Sequence, residues 1–220
     1  MVESPIRVVL VDDDALVRTG LRMMLAGDPA LEVVGEAVDG IEAIAQIRQH
    51  RPDVVLMDIR MPRQDGITTT EQVVARPGHP QIIVLTTFDT DDMVLAALRA
   101  GASGFLLKDT HPRQIVEAVR RVHAGEPMLS PSVTRRLIGA VATGGADPRR
   151  AEAKALVETL SDREREIAAA IAEGATNADI AGRLYLSVAT VKAHVTHVMA
   201  KLRADNRVQV AIRMHDAGVA

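Results

Sequence analysis

Along the first half of the chain, apolar residues gather in five runs of strand length, each followed by a stretch with helical periodicity. The runs are IRVVLVD (6–12), LEVVGEA (31–37), DVVLMD (53–58), QIIVLTT (81–87) and GFLLKD (104–109). The first, third and fourth are nearly unbroken Val, Ile and Leu, as in strands covered on both faces. Helices are predicted between and after them at 16–26, 41–50, 66–75, 90–100 and 112–124. A fivefold strand–helix alternation predicts an α/β fold, a doubly wound parallel sheet.

After Gly125 the pattern changes. Pro127, Pro131, Gly144, Gly145 and Pro148 surround one short helical segment at 132–142, so 125–152 is expected to be a linker with TGGADPRR its most flexible part. From Leu160 onward there is no strand signal. SDRE (161–164) fits a capping box, and helices are predicted at about 162–173, 177–184, 188–203 and 206–216. Val191, Val195, Val198, Met199 and Leu202 form one apolar stripe on the third of these, which leaves Ala189, Lys192, Ala193 and Thr196 on its outward face.

Length and composition narrow the function. At 220 residues, two domains are the natural division. The N-terminus MVESPIR does not resemble a signal peptide, and no apolar run approaches the roughly 20 residues of a membrane span, so a soluble cytoplasmic protein is expected. Without cysteine there is no disulfide, thiolate nucleophile or cysteine metal site. Phe88, Phe105 and Tyr185 are the only aromatics, too few for stacking single-stranded nucleic acid. The net charge of -3 is uneven: residues 1–124 carry 13 Lys+Arg against 18 Asp+Glu, whereas 156–220 carry 8 of each. Within the latter, Lys192, Lys201, Arg203, Arg207 and Arg213 face Asp205 alone over 187–213, a local positive region.

The carboxyl ends of the strands hold the candidate chemistry. Asp12, Asp13 and Asp14 follow the first, Asp58 the third, Thr86 and Thr87 the fourth and Lys108 the fifth. Ligands of doubly wound sheets bind at this edge. Adjacent carboxylates need solvent, hydrogen-bond donors or a cation, and a hard oxygen-ligated cation suits them. Hydroxyl plus ammonium suits a phosphoryl group.

LVDDDALVR, DVVLMDIRMPRQDG, IIVLTTFD and AGASGFLLKD resemble, in order and spacing, the receiver domain of two-component response regulators over residues 4–124. The resemblance implies a flavodoxin-like fold and a phosphoacceptor at Asp58. It implies Mg²⁺ (or Mn²⁺) held by Asp12, Asp13, Asp58 and the Arg60 backbone carbonyl. Lys108 would bind the acyl phosphate, Thr86 would be the switch hydroxyl and Phe105 the coupled aromatic. Asp14 stands where many relatives carry His, and is read as a cap or first-turn acid of the first helix.

LSDRERE, 174–180, LSVATVKAHV and KLRADNR resemble the LuxR-type (NarL/FixJ-type) helix-turn-helix domain over 153–218, with the motif at about 177–196. That resemblance implies major-groove contacts by Lys192, Ala193 and Thr196 and a dimerisation helix carrying Val208, Ala211 and Ile212. Some relatives have Lys at the position of Thr196, so fewer phosphate contacts and a shallower salt dependence are expected. Together the motifs imply a transcription regulator, not an enzyme beyond its own phosphoryl transfer and dephosphorylation. Its partners would be a sensor histidine kinase and a double-stranded operator with inverted repeats, bound by a homodimer. Two other functions compete: a DNA-binding protein with an inert receiver, and a phosphatase built on Asp12-x-Asp14. The complete Asp12, Asp13, Asp58, Thr86 and Lys108 set argues against the first, and Leu16 where a Thr is needed argues against the second.

Overall fold

The computed structural model describes residues 4–87, 91–126, 128–129 and 148–219, in two compact units, 1–137 and 138–220. In the N-terminal unit the elements are β1 (Ile6–Val11), α1 (Ala15–Ala26), β2 (Leu31–Ala37), α2 (Gly40–His50), β3 (Val54–Met57), α3 (Gly66–Val74), β4 (Gln81–Thr86), α4 (Asp91–Arg99), β5 (Gly104–Leu107), α5 (Pro112–His123) and β6 (Met128–Leu129). All strand pairs are parallel, in the order β2-β1-β3-β4-β5-β6.

Strand side chains alternate between two cores. Val8, Leu10, Val54, Leu56 and Ile83 pack with Leu21 and Leu25 of α1 and Ile115 and Val119 of α5. Val9, Val11, Val55 and Met57 face Ala43 of α2 and Val73 and Val74 of α3. This two-sided burial is why the runs read as continuous apolar stretches. In β2 the register slips between the partners of Val8 and Val9, which pair with Val33 and Gly35. A Cβ on Gly35 would lie 2.7 Å from Gln46 Oε1, so the glycine lets α2 pack closely over the bulge.

Two features lie within 125–152, expected as a linker. Met128–Leu129 pairs with Gly104 and Phe105, adding a short edge strand, and a helix begins at Pro148. The expected helix at 132–142 lies outside the described residues, as does Thr90 at the expected start of α4.

The C-terminal unit comprises α6 (Pro148–Glu158), α7 (Asp162–Ala172), α8 (Asn177–Leu184), α9 (Val188–Leu202) and α10 (Arg207–Asp216). Helix α6 carries no strong apolar stripe and so no helical periodicity that predicts it; it contributes Ala153 and Val157, both buried. Its sequence signals were a proline at the first helical position and the Ala-rich AEAKALVE. The core joins Val157, Ile167, Ile171, Ile180, Val191, Val195, Val198, Leu202, Val210 and Met214. Ser161 with Glu164, and Thr176 with Asp179, form capping boxes that start α7 and α8. No helix among the described residues is long and apolar enough to cross a membrane.

Candidate functional site

The carboxyl edge of the sheet collects the predicted acidic site. Asp12 and Asp58 follow β1 and β3 directly and are buried, whereas Asp13 is exposed. One carboxylate oxygen from each of the three lies within 4.8 Å of the others, a spacing that fits a small oxygen-ligated cation. Lys108 Nζ reaches Asp12 Oδ2 at 2.6 Å and Asp58 Oδ2 at 2.9 Å, so one ammonium bridges two carboxylates. Asp58 Oδ1 accepts from the Ile59 backbone N–H at 2.7 Å.

Burial pushes the Asp12 carboxyl above its usual range, against the hydrogen bonds from Lys108 and the Asp14 N–H; the charge of Asp58 adds to the rise. Burial also disfavours the Lys108 ammonium, but hydrogen bonds to Asp12 and Asp58 outweigh it and raise the lysine further. Lys108 is therefore firmly cationic.

Thr86 ends β4 and is buried, while Thr87 is exposed beyond it. The Thr86 carbonyl accepts from the Lys108 N–H at 2.9 Å, tying the hydroxyl-bearing residue to the lysine-bearing one. Phe105 lies wholly inside, paired in the sheet with Val84 and Leu129. Its ring has no outward position in this structure. Arg60 follows Asp58 by two residues on the exposed loop into α3.

Asp14 takes the capping position expected of it. Asp14 is exposed and caps α1, its Oδ1 accepting from the Leu16 N–H at 2.8 Å. Asp14→Ala is expected to lower stability by about 1 kcal/mol and leave phosphoryl labelling from acetyl phosphate within about twofold of wild type, measured by urea unfolding and Mg²⁺-dependent labelling.

Three supports were not legible beforehand. Arg18 Nη1 donates to the Asp12 carbonyl at 2.7 Å and Arg18 Nε to Glu36 Oε2 at 3.2 Å, fixing the backbone of the acidic loop. Gly66 N–H donates to the Ile59 carbonyl at 2.9 Å, and a Cβ on Gly66 would collide with the Asp58 carbonyl. Arg63 pairs with buried Asp39, the N-cap of α2, across the same loop. These partners are 18 to 24 residues apart in sequence or meet through backbone atoms, which carry no pattern.

In the C-terminal unit Lys192, Ala193 and Thr196 are exposed on α9, opposite buried Val191, Val195, Val198 and Leu202. Ser187 caps the helix, its Oγ accepting from the Thr190 N–H at 3.0 Å. Thr196 Oγ1 donates to the Lys192 carbonyl at 3.1 Å, leaving its methyl and acceptor lone pairs outward. His197 is exposed and His194 half-buried. On α10, Val208 and Ile212 are buried in the single chain and Ala211 is half-buried.

Two members of the expected positive region prove structural. Lys201 Nζ donates to Glu164 Oε2 at 2.6 Å, inside the α7 capping box. Arg207 is buried and its guanidinium donates to Asn177 Oδ1 at 2.6 Å and to the Ala175 carbonyl, joining the start of α10 to the start of α8.

Glu164 carries a pH prediction. Lys201, then the Ser161 N–H, hold its carboxyl at about 2 against an ordinary 4.5. A carboxylate depressed by folding stabilises fully above the unfolded value and loses that contribution as pH falls through the folded one. With the lysine partly solvated, Lys201→Met is expected to cost roughly 1–2 kcal/mol at pH 7 and almost nothing at pH 2, by urea unfolding at the two pH values.

Comparison with known proteins comes to the same two units. The family described as response regulator receiver domain matches residues 8–120, and the family of bacterial regulatory proteins, luxR family, matches residues 158–214. The transcriptional regulatory protein LiaR of Bacillus subtilis is 40% identical over 210 residues, 96% of this chain and 97% of LiaR. Among solved structures, the response regulator ChrA of a heme-sensing two-component system is 37% identical with a TM-score of 0.54, covering 99% of this chain and 100% of ChrA. A structure of two RcsB dimers bound to two parallel DNAs is 25% identical with a TM-score of 0.58, covering 97% of this chain and 100% of that one.

Proposed function

The chain belongs to the DNA-binding two-component response regulators of the LuxR/NarL type, and from that membership we propose that a sensor histidine kinase phosphorylates it on Asp58 and thereby switches dimerisation and promoter binding. The observation that carries this reading is the buried Asp58 carboxylate, bridged by Lys108 to Asp12 and within cation-sharing distance of Asp12 and Asp13. The domains proposed are a receiver at 4–124, a connecting segment at 125–152 and a DNA-binding domain at 153–218, in a cytoplasmic protein.

An Asp58 carboxylate oxygen attacks phosphorus as the bond from phosphorus to the donor nitrogen breaks, which gives an acyl phosphate and returns the histidine. Asp12, Asp13, Asp58 and the Arg60 carbonyl would hold Mg²⁺ or Mn²⁺, which would supply charge neutralisation of the transferring group. Lys108, its ammonium favoured by the neighbouring carboxylates, turns from Asp58 to the new phosphoryl oxygens. Thr86 gives them its hydroxyl, and the wholly packed Phe105 passes the change to the β4–β5 face. Beyond this self-modification and its hydrolysis the chain is no enzyme.

Helix α9 enters the major groove. Lys192 donates to a guanine edge or phosphate, Ala193 permits close approach, and the outward methyl of Thr196 suits a thymine methyl. Val208, Ala211 and Ile212 lie on the side of α10 opposite core residues Val210 and Met214, and form the dimer contact once burial in the single chain is exchanged for burial against the partner. A two-fold dimer requires an inverted-repeat operator. The RcsB dimers on DNA support such an assembly.

The test is beryllofluoride with Mg²⁺, read by sedimentation and by binding to genomic fragments selected with the protein. The expected result is a dimer and about tenfold or more tighter DNA binding, with Lys192→Ala losing about tenfold. Unchanged mass and affinity would establish an inert receiver instead. Undiminished binding by Lys192→Ala would remove α9 as the reading helix.

A further inference from the structure

We propose that the amino-terminal pole of the sheet, opposite the acidic site, carries a second binding site, for a nucleotide. A cavity of about 770 Å³ opens there between the last turn of α2, the segment joining α3 to β4, and His123 at the end of α5. Pro52 and Asp53 lead into β3 and Pro80 leads into β4, so the cavity lies at strand ends remote from Asp58.

Arg48, Arg51 and Arg76 line this cavity and are exposed. None of the three guanidinium groups bonds or pairs with a described residue, whereas several other arginines of the unit are paired. Arg18 and Arg22 pair with Glu36 and Arg63 with Asp39; even at this pole, Arg120 pairs with Asp28 at 2.5 Å and Arg121 with Glu126 at 3.4 Å. The one carboxylate in the lining, Asp53, already accepts from the Arg7 N–H at 2.8 Å. Three unpaired cations thus line one concavity in a stretch, residues 1–124, where acids outnumber bases by 18 to 13.

Helix dipoles account for part of this, because a cation in the last turn of α2 is favourable there, and Arg48 is so placed. They do not account for Arg51. It follows α2 in the left-handed region, at φ 44 and ψ 61, where glycine or asparagine is the unstrained choice. An arginine held in strain at the rim of a cavity points to its side chain.

Guanidinium groups bind phosphate oxygens through paired, planar hydrogen bonds. Ile44, Ile47 and Val73 supply an apolar wall that phosphate alone would leave uncovered. The volume falls within the range of small-molecule sites. Arginines and apolar side chains in one concave lining select a mononucleotide over a duplex, whose backbone is convex.

The full chain, in EDTA, without a phosphoryl donor and at physiological ionic strength, is titrated calorimetrically with ATP, adenosine and inorganic phosphate. One ATP is expected to bind per chain and raise the melting temperature, with adenosine and phosphate weaker by about tenfold or more. Arg51→Gly separates binding from folding: glycine relieves the left-handed strain, so the melting temperature holds or rises while ATP affinity falls by about tenfold. Arg76→Ala is expected to weaken ATP similarly and Arg120→Ala to leave it unchanged. No binding of ATP, equal binding of adenosine, or undiminished ATP affinity in both Arg51→Gly and Arg76→Ala would overturn the proposal. So would wild type that binds no ATP while these variants lose affinity for duplex DNA, which would assign the arginines to nucleic acid.

Discussion

Asp58→Ala is expected to accept no phosphoryl group from acetyl phosphate in the presence of Mg²⁺, and to remain folded. Asp12, Asp13 and Asp14 still present carboxylates, so residual labelling elsewhere is the alternative that the experiment excludes. Asp58 is a buried carboxylate at the end of central strand β3, with one oxygen on the Lys108 ammonium and the other on the Ile59 N–H, as Asp12 after β1 has Lys108 and the Asp14 N–H. Those contacts hold it in place. Their loss costs stability, but the substitution also removes a negative charge that raises Asp12, and leaves Lys108 paired with Asp12 alone. The two effects oppose each other, so urea unfolding is expected to stay within about 1 kcal/mol of wild type. Labelling is followed by mass spectrometry of the intact chain. An Asp58→Ala chain labelled as fast as wild type would move the phosphoacceptor to another residue.

Arg207→Ala is expected to produce the largest loss of stability, about 2–4 kcal/mol in the C-terminal unit, without touching the outward face of α9. Arg207 is 6% exposed and its guanidinium donates to the Asn177 side chain and the Ala175 carbonyl, at the loop that starts α8. Truncation leaves the buried Ala175 carbonyl and the half-buried Asn177 side chain without these donors and opens a void between α8 and α10. Arg207→Lys keeps the charge but not the planar fork and should recover only part of the loss. The measurement is urea unfolding of the full chain followed by far-ultraviolet circular dichroism. If Arg207 were instead a DNA-contacting cation, stability would be unchanged and the loss would appear in DNA affinity, with a salt slope shallower by about one.

Arg207 also marks where sequence patterning stops. In the sequence it is one of five cations in a positive region, alike in type to Lys192. In the fold Lys192 is exposed on α9, while Arg207 is buried and Lys201 is bound to Glu164. A charge run records sign and spacing, but whether a cation meets solvent, a carboxylate or a carbonyl depends on elements that approach from 30 or more residues away. The same limit explains Arg18, Arg63 and Gly66, whose partners are backbone atoms or a carboxylate on another segment.

What the sequence by itself determined is whatever repeats along one element or ends it. The alternation of apolar runs and amphipathic stretches specified the parallel sheet, because strands buried on both faces must be apolar throughout. Residues at the strand ends specified the acidic edge, because parallel strands all finish on the same side, and Asp14 was separable from Asp12 and Asp13 because capping is local. The tertiary structure alone decided the rest: the lysine bridge from Asp12 to Asp58, the structural use of Arg207 and Lys201, the pairing of β6, the short apolar face of α6, and the convergence of Arg48, Arg51 and Arg76 on one cavity. Each depends on distance between segments remote in sequence, which packing sets and periodicity does not encode.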